Sequence, residues 1–348
     1  MTIKRLGFFT RLLDKVPAAE RYRLAAEQII HAERQGFDSA WVAQHHFHEA
    51  EGGLPAPLVF LSYIAAQTQR IRLGTGIITL PMESALRVAE DAVVLDLLSK
   101  GRFELGVGSG GTPSSFPAFG LESNERGKIY AENLALLRSA LNDEPLSGTD
   151  NHLYPASPQL SKRIWQATFS VDGGARAGKA GDGLMLSRTQ PRSVDALDAP
   201  LDAIQNPIID AYLDALPDGI EPRILASRTG FVTDEGELAR QLAVPGLRQQ
   251  AEQFRLQGYH LPVDSLDSYI EIFDVHLGDV QQVIASLKRD SSLARVTDLS
   301  FQVHSIDPPH SHILRSIELL AQQVAPALGW TSNGTRSTRA PILTKETL

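Results

Sequence analysis

The stretch AWVAQHHFHEAEGG, Ala40 to Gly53, sets three histidines, His45, His46 and His48, and two carboxylates, Glu49 and Glu51, directly after an apolar run. Imidazoles titrate near neutrality, so they move protons or ligate metals, and a carboxylate can orient them. One reading is a metal shell: His46 and His48 as an H-x-H pair, with Glu49, His304 or Asp307 completing it. The other is a single catalytic imidazole. Successive strand residues point to opposite faces, so if the strand continues through the pair, one of His45 and His46 faces the site and the other packs outward.

Two glycine-rich stretches offer further chemistry. GVGSGG, Gly106 to Gly111, matches G-x-G-x-x-G in form. A dinucleotide fingerprint opens directly into a helix, however, and the following TPSSFPAFG carries two prolines, which argues against that site. Glycines at a strand end also let a large planar ligand approach the backbone. In FSVDGGARAGKAG, Ser170, Gly173 and Gly174 precede a short helix, with Arg176 and Arg188 nearby. Free amides at a helix N-terminus make a phosphate seat, although a plain strand-to-helix turn has the same sequence.

The elements that must carry these residues recur at regular spacing. β-rich runs begin at residues 3, 38, 71 and 102, intervals of 35, 33 and 31 residues. Between the first two, Tyr22, Ala25, Ala26, Ile29 and Ile30 follow helical spacing and Gly36 stands at a C-cap position. Strand, helix, strand at this period is a βα unit. Further runs at 163, 182, 223 and 296 bring the count to eight. Eight such units predict an α/β fold: one (β/α)8 TIM-type barrel over residues 1–330, with insertions after strands 4 and 7, where the intervals widen to 61 and 73 residues. The Ser/Thr-rich 331–348 segment reads as an irregular tail. The histidine cluster then follows the second strand, whereas barrel metal hydrolases carry H-x-H on the first, so we expect no metal.

Composition narrows the function. The 348 residues contain no cysteine, which removes thiolate chemistry and Cys-based metal sites. A formal charge of −8 with scattered basic residues argues against nucleic acid. No apolar run reaches the roughly 18 residues of a membrane span, and MTIKRLGFF reads as a first strand rather than a signal peptide, so the expected compartment is the cytoplasm. No charge occurs from Gly52 to Gln69, and the next helix carries an apolar stripe through Leu86, Ala89, Val93, Leu97 and Leu98. An outer barrel helix without a wet face predicts a subunit interface, hence a homodimer.

In order along the chain, HHF, RIRLGTGIITLP, LRVAEDAVVLDLLSKGRFELGVG and the later FG with Glu125 and Arg126 resemble the bacterial luciferase-like flavin monooxygenases. The resemblance implies reduced FMN as cosubstrate, bound at the C-terminal ends of the strands, with O2 and a small organic molecule as the other reactants. It places His45 beside the isoalloxazine, and a non-prolyl cis peptide between Gly76 and Ile77, next to Thr75, on the ring's floor. Ser109 stands where luciferase has a phosphate-binding arginine, and Gly108, beside Gly110, where it has a cysteine. Phosphate neutralisation then falls to Arg176 and Arg188, with Ser170 retained. No second nucleotide motif is visible, so the reductant is expected from a separate NAD(P)H:flavin reductase. The alternatives on the same fold are a deazaflavin-dependent dehydrogenase and a non-catalytic flavin-binding protein.

Overall fold

Eight parallel strands form the frame: β1 (Arg5–Thr10), β2 (Ser39–Val42), β3 (Arg72–Thr75), β4 (Phe103–Gly108), β5 (Ile164–Thr168), β6 (Gly183–Leu186), β7 (Ile224–Val232) and β8 (Asp298–Gln302). Each begins within a run expected from the sequence. The ring closes because β8 pairs with both β7 and β1, Asp298 standing opposite Leu225 on one side and Arg5 on the other. The result is a TIM-type barrel. These relations come from a computed structural model that describes residues 4–146, 148–192, 196–256, 261, 263–303 and 308–330. The expected tail over 331–348 lies outside the described residues.

Helices α1 (Ala18–Arg34), α2 (Pro57–Ala65), α3 (Ala85–Leu98), α4 (Arg126–Leu141), α5 (Val171–Lys179) and α6 (Leu201–Ala215) follow the first six strands in turn. In α1 the buried Ala25, Ala26 and Ile29 fall on one face, and Gly36 beyond it adopts φ +89°. Glycine is the residue that takes this conformation without steric cost. The contact between α5 and α6 depends on absent side chains. A Cβ on Gly174 would lie 2.5 Å from the Ile208 carbonyl oxygen, and one on Gly178 would lie 2.2 Å from that of Tyr212. Glycines four apart on one face thus let the two backbones touch.

The two long connections sit where expected. After β4 the chain makes 3-10 turns over Pro113–Phe119 and Ser123–Glu125 before α4, so GVGSGG does not open directly into a helix. After β7 come α7 (Gly236–Leu256), α8 (Leu266–Ile272) and α9 (Val280–Arg289), the last started by an Asp279–Gln282 capping box. Between α8 and α9, a short strand, Val275–Gly278, pairs with Thr229–Val232 and lengthens the sheet on one side. The final barrel helix is α10 (His310–Leu319).

Inside the ring, polar pairs fill the N-terminal end: Arg5 with Asp298 at 3.0 Å, and Arg72 with Glu104, which also accepts from Trp165 Nε1 at 2.8 Å. Above them Trp41 and Trp165 meet edge to face, ring centroids 5.6 Å apart, with Met185 and Leu225 beside them. Room for each indole comes from a neighbouring strand. A Cβ on Gly74 or Gly183 would come within 2.2 Å of the Trp41 or Trp165 ring respectively. The barrel is therefore plugged, and any ligand must enter at the C-terminal mouth.

Candidate active site

At that mouth the plug ends in an apolar floor. Phe9 of β1, Ile77 just beyond β3 and Ala167 of β5 are only partly buried and pack onto the Trp41, Trp165 and Met185 group. The backbone around the floor is fixed by small residues and close hydrogen bonds. A Cβ on Gly76 would approach the Phe9 ring to 2.9 Å, and one on Gly108 would approach Ile77 Cδ1 to 2.9 Å. Thr75 Oγ1 donates to the Gly106 carbonyl at 2.8 Å and accepts from Gly106 N at 2.9 Å, which commits that side chain to joining β3 and β4. The Gly76–Ile77 peptide is cis. Gly110 adopts φ +86°, and it and Ser109 are half-buried at the end of β4.

Gln44 holds the rim together. Its backbone N donates to the Ile77 carbonyl at 3.2 Å, its Oε1 accepts from Thr79 N at 2.8 Å, and its Nε2 donates to the Pro55 carbonyl and Glu83 Oε1 at 3.1 and 2.7 Å. The next residue is His45. Because β2 ends at Val42, strand alternation does not govern the histidine pair; the surrounding loop does. Gly52 passes so close that a Cβ there would lie 2.7 Å from His45 Nδ1, and His45 N donates to the Leu54 carbonyl at 3.0 Å. Nδ1 is buried without a protein partner. Burial first, then the positive fields of Arg11, His46 and Arg188, push the His45 pKa down to about 3. The imidazole is neutral at physiological pH.

The rest of the opening cluster has other duties. His46 meets Phe119 edge to face at 4.9 Å, and burial lowers its pKa against the opposing pull of Glu83. His48 is 3.1 Å from Ser114 Oγ, Glu49 pairs with Arg21 at 2.8 Å, and Glu51 accepts from Thr112 at 2.6 Å. The bonds of His48 and Glu51 fasten the loop over His45 to the loop after β4, and that of Glu49 fastens it to α1. Glu49 therefore orients an arginine rather than a histidine. Among the described residues no group of three or more His, Asp or Glu is arranged to hold a metal ion, and His304 and Asp307 lie outside them.

Arg188, beyond β6, is buried within the mouth. Its Nε donates to Gln302 Oε1 at 2.7 Å and its Nη1 to Thr229 Oγ1 at 3.3 Å. Burial, with Arg11 adding repulsion, pushes its pKa down to about 9, so it remains a cation at neutral pH. A buried cation held by neutral groups favours a ligand with negative or partly negative oxygen or nitrogen atoms. Arg176 is placed elsewhere. Its Nε donates to Gln166 at 3.2 Å and its guanidinium lies over the Tyr130 ring, in the packing between β5 and α4. Ser170 caps α5: its Oγ accepts from Gly173 N at 3.2 Å, and its carbonyl accepts from Gly174 N at 3.1 Å. The amides of Val171 and Asp172 are the first-turn donors left for an anion. Gly173 has a further role, since a Cβ there would lie 1.9 Å from Thr168 Oγ1.

Sequence reasoning did not include Arg11, Gln44 or Gln302 in the site. Gln44 adjoins the histidines, and Arg11 directly follows an apolar strand, so a strand-end rule would have flagged both. Gln302 carried a fainter signal, a lone amide at the end of β8 after Phe301.

A family model described as luciferase-like monooxygenase matches residues 6–276. The chain is 29% identical over 335 residues to a 4-hydroxyprotoasukamycin monooxygenase from Streptomyces nodosus subsp. asukaensis, covering 88% of this chain and 89% of that protein. In fold it is similar to the oxygenating constituent of 3,6-diketocamphane monooxygenase from Pseudomonas putida, solved in complex with FMN (TM-score 0.73, 19% identity, 93% and 98% of the two chains). It is also similar to the coenzyme F420 dependent tetrahydromethanopterin reductase from Methanopyrus kandleri (TM-score 0.67, 16% identity, 94% and 99%). At those identities the two structures speak for the fold alone. With its family model spanning most of the barrel, the chain belongs to the luciferase-like monooxygenases, a family of oxidoreductases.

Proposed function

We propose that the chain is an FMN-dependent monooxygenase that takes reduced flavin from a separate NAD(P)H:flavin reductase and uses O2 to oxygenate a small organic molecule. The observation that carries this reading is a neutral, buried His45 at the rim of an apolar floor, with the Arg188 cation across the same mouth. A flavin ring fits these residues: Phe9, Ile77 and Ala167 offer an apolar seat, and Gln302 Nε2 is a buried polar atom without a protein partner. Ser170 and the first-turn amides of α5 would take the phosphate, and Gly108, Ser109 and Gly110 would border the ring. Reduced flavin, when bound, supplies the electrons that activate O2.

The chain's own groups then have definite tasks. With Nδ1 under Gly52, His45 Nε2 is the nitrogen left to meet a reactant. A pKa of about 3 leaves almost no imidazolium at neutral pH, so His45 acts as a neutral hydrogen-bonding group rather than as a stored proton. Arg188 would stabilise negative charge on the ring or on a reacting oxygen. The loops carrying Glu51 and Thr112 close over the rim and exclude water.

The reading extends to assembly. Val59 and Tyr63 on α2 are 73% and 56% exposed, and Leu97 and Leu98 on α3 are 51% and 61% exposed. Neighbouring helices thus each leave apolar side chains to solvent, which a second copy would cover. The members differ from the expected stripe: Ala89 and Val93 are fully buried against the chain's own core.

Oxygen consumption tests the activity. With NADH, FMN and a flavin reductase supplying reduced flavin, an accepted organic substrate should divert oxygen from hydrogen peroxide into product. Turnover without oxygen on a deazaflavin cofactor would instead support hydride transfer.

A further inference from the structure

The chain has no cysteine, so its sulfur lies in three methionines, Met1, Met82 and Met185. Met185 stands in β6, inside the barrel and under the floor of the mouth. Its Sδ lies 2.9 Å from where a Cβ on Gly106 would be, and its Cε lies 3.5 Å from the same point on Gly76, beside the Phe9 ring. Within the plug Trp41, Trp165 and Leu225 are each 1% exposed, whereas Met185 is 6% exposed. Indoles and polar pairs close the barrel below, so this residual surface opens toward the mouth.

The surroundings suit a thioether and not its oxide. The Gly106 amide, against which the sulfur rests, is committed to Thr75 Oγ1 at 2.9 Å. Trp41 Nε1 donates to Ser39 Oγ at 2.9 Å, and Trp165 Nε1 to Glu104 Oε2 at 2.8 Å. Phe9, Ile77, Ala167 and Leu225 add only apolar surface. A sulfoxide oxygen is a strong acceptor, and here it would add volume to close packing where these neighbouring donors are already taken. Oxidation would therefore push the floor upward into the seat proposed for the flavin ring.

We propose that Met185 is an oxidation site at which hydrogen peroxide formed in the mouth switches the enzyme off. The thioether sulfur attacks one peroxide oxygen, an S–O bond forms as the O–O bond breaks, and water leaves. Sulfur loses two electrons and the peroxide gains them. The supply of peroxide rests on the monooxygenase reading, in which reduced flavin consumes oxygen without product when no organic substrate is bound. A borrowed flavin leaves after each such cycle and uncovers the floor. The place of the sulfur and the effect of oxidising it do not depend on that reading.

Peptide mass mapping, thermal melting and FMN titration on the full-length chain decide both parts. In the first arm the chain without flavin is treated with hydrogen peroxide until Met185 is converted. Wild type should then melt a few degrees lower, shift its tryptophan emission and bind FMN roughly tenfold more weakly, as for one buried acceptor left unsatisfied. Met185→Leu, of similar volume and without sulfur, should keep its melting temperature and FMN affinity under the same treatment. Met82→Leu should respond as the wild type does, and it decides the matter should Met185→Leu fail to fold. Equal responses of wild type and Met185→Leu, a response abolished in Met82→Leu, or a Met185 that resists peroxide altogether would each overturn the assignment.

In the second arm NADH, FMN and a flavin reductase drive oxygen consumption without organic substrate, and catalase clears peroxide from the bulk. Met82, half-buried in the turn Leu80–Met82, is the more exposed of the two sulfurs, so bulk peroxide favours it. The ratio of Met185 to Met82 sulfoxide should be several-fold higher in this arm than after added peroxide. An equal ratio would contradict oxidation from within the mouth. Oxygen consumption that the chain leaves unchanged would defeat the monooxygenase reading and its supply of peroxide, while the first arm still decides the oxidation site.

Discussion

Gln44 and Ile77 are joined backbone to backbone, Gln44 N to the Ile77 carbonyl at 3.2 Å, so the residue before His45 is tied to the floor of the mouth. The Gln44 side chain adds three more bonds, to Thr79, Pro55 and Glu83. Gln44→Ala keeps the backbone bond and deletes the other three. We expect a stability loss of about 1–3 kcal/mol by urea unfolding, from groups left unsatisfied. Turnover should fall as well. Unchanged stability would mean that the rim is held by something else.

The two adjacent histidines should separate kinetically. His45→Ala is expected to slow oxygenation by about 10²–10³-fold, the range for losing one positioned hydrogen-bonding group, while FMN affinity changes little. His46→Ala removes an edge contact with Phe119 and should cost mainly stability. Steady-state rates and flavin titrations on both variants check this, and reversed behaviour would exchange the two roles.

Acid stability follows from the same imidazole. His45 has a folded pKa of about 3 against an ordinary 6.5, and His276 one of about 4, lowered chiefly by burial. Between the folded and unfolded values the unfolded chain holds a proton that the native chain lacks, so stability rises with pH and is lost as pH falls below about 6.5. Each such proton contributes at most about 1.4 kcal/mol per pH unit. Urea melts at pH 7, 6 and 5 should show a shallower decline in His45→Gln than in the wild type. Identical slopes would contradict a buried neutral His45.

For the homodimer, Leu98→Lys or Val59→Lys places a charge within the apolar patch of α2 and α3 without touching the core. Light scattering should then report a monomer of unchanged fold. The same charge at Leu61 or Val93 tests nothing about assembly, because both side chains are fully buried inside the chain. A wild-type monomer at micromolar concentration would leave the patch without its proposed partner.

How far the sequence disclosed this molecule depended on whether a signal was local. Each barrel strand shows in its own apolar run, and the wide spacings after β4 and β7 announce their insertions. The short strand Val275–Gly278 was not evident, since it is defined by pairing with Thr229–Val232 rather than by its own four residues. Arg188 was legible as a cation near a strand end but not as one bonded to Gln302 and Thr229, which are brought to it by barrel closure. Arg176 shows the converse. Its nearness to Ser170 in sequence suggests a shared anion seat, yet helical geometry carries its side chain to Tyr130 and Gln166. The apolar stripe on α3 was visible as a pattern, but only packing shows that Val93 faces inward while Leu98 faces out.

The central claim, that this mouth holds reduced FMN for reaction with oxygen, is tested most directly by rapid mixing. Reduced FMN is bound to the chain under anaerobic conditions, oxygenated buffer is added, and the return of oxidised-flavin absorbance is followed. The account predicts saturable binding of one FMN per chain and a delayed phase absent from free flavin, shortened in His45→Ala. Reduced FMN that oxidises identically with and without the chain, while a reduced deazaflavin cofactor binds and ignores oxygen, would contradict it.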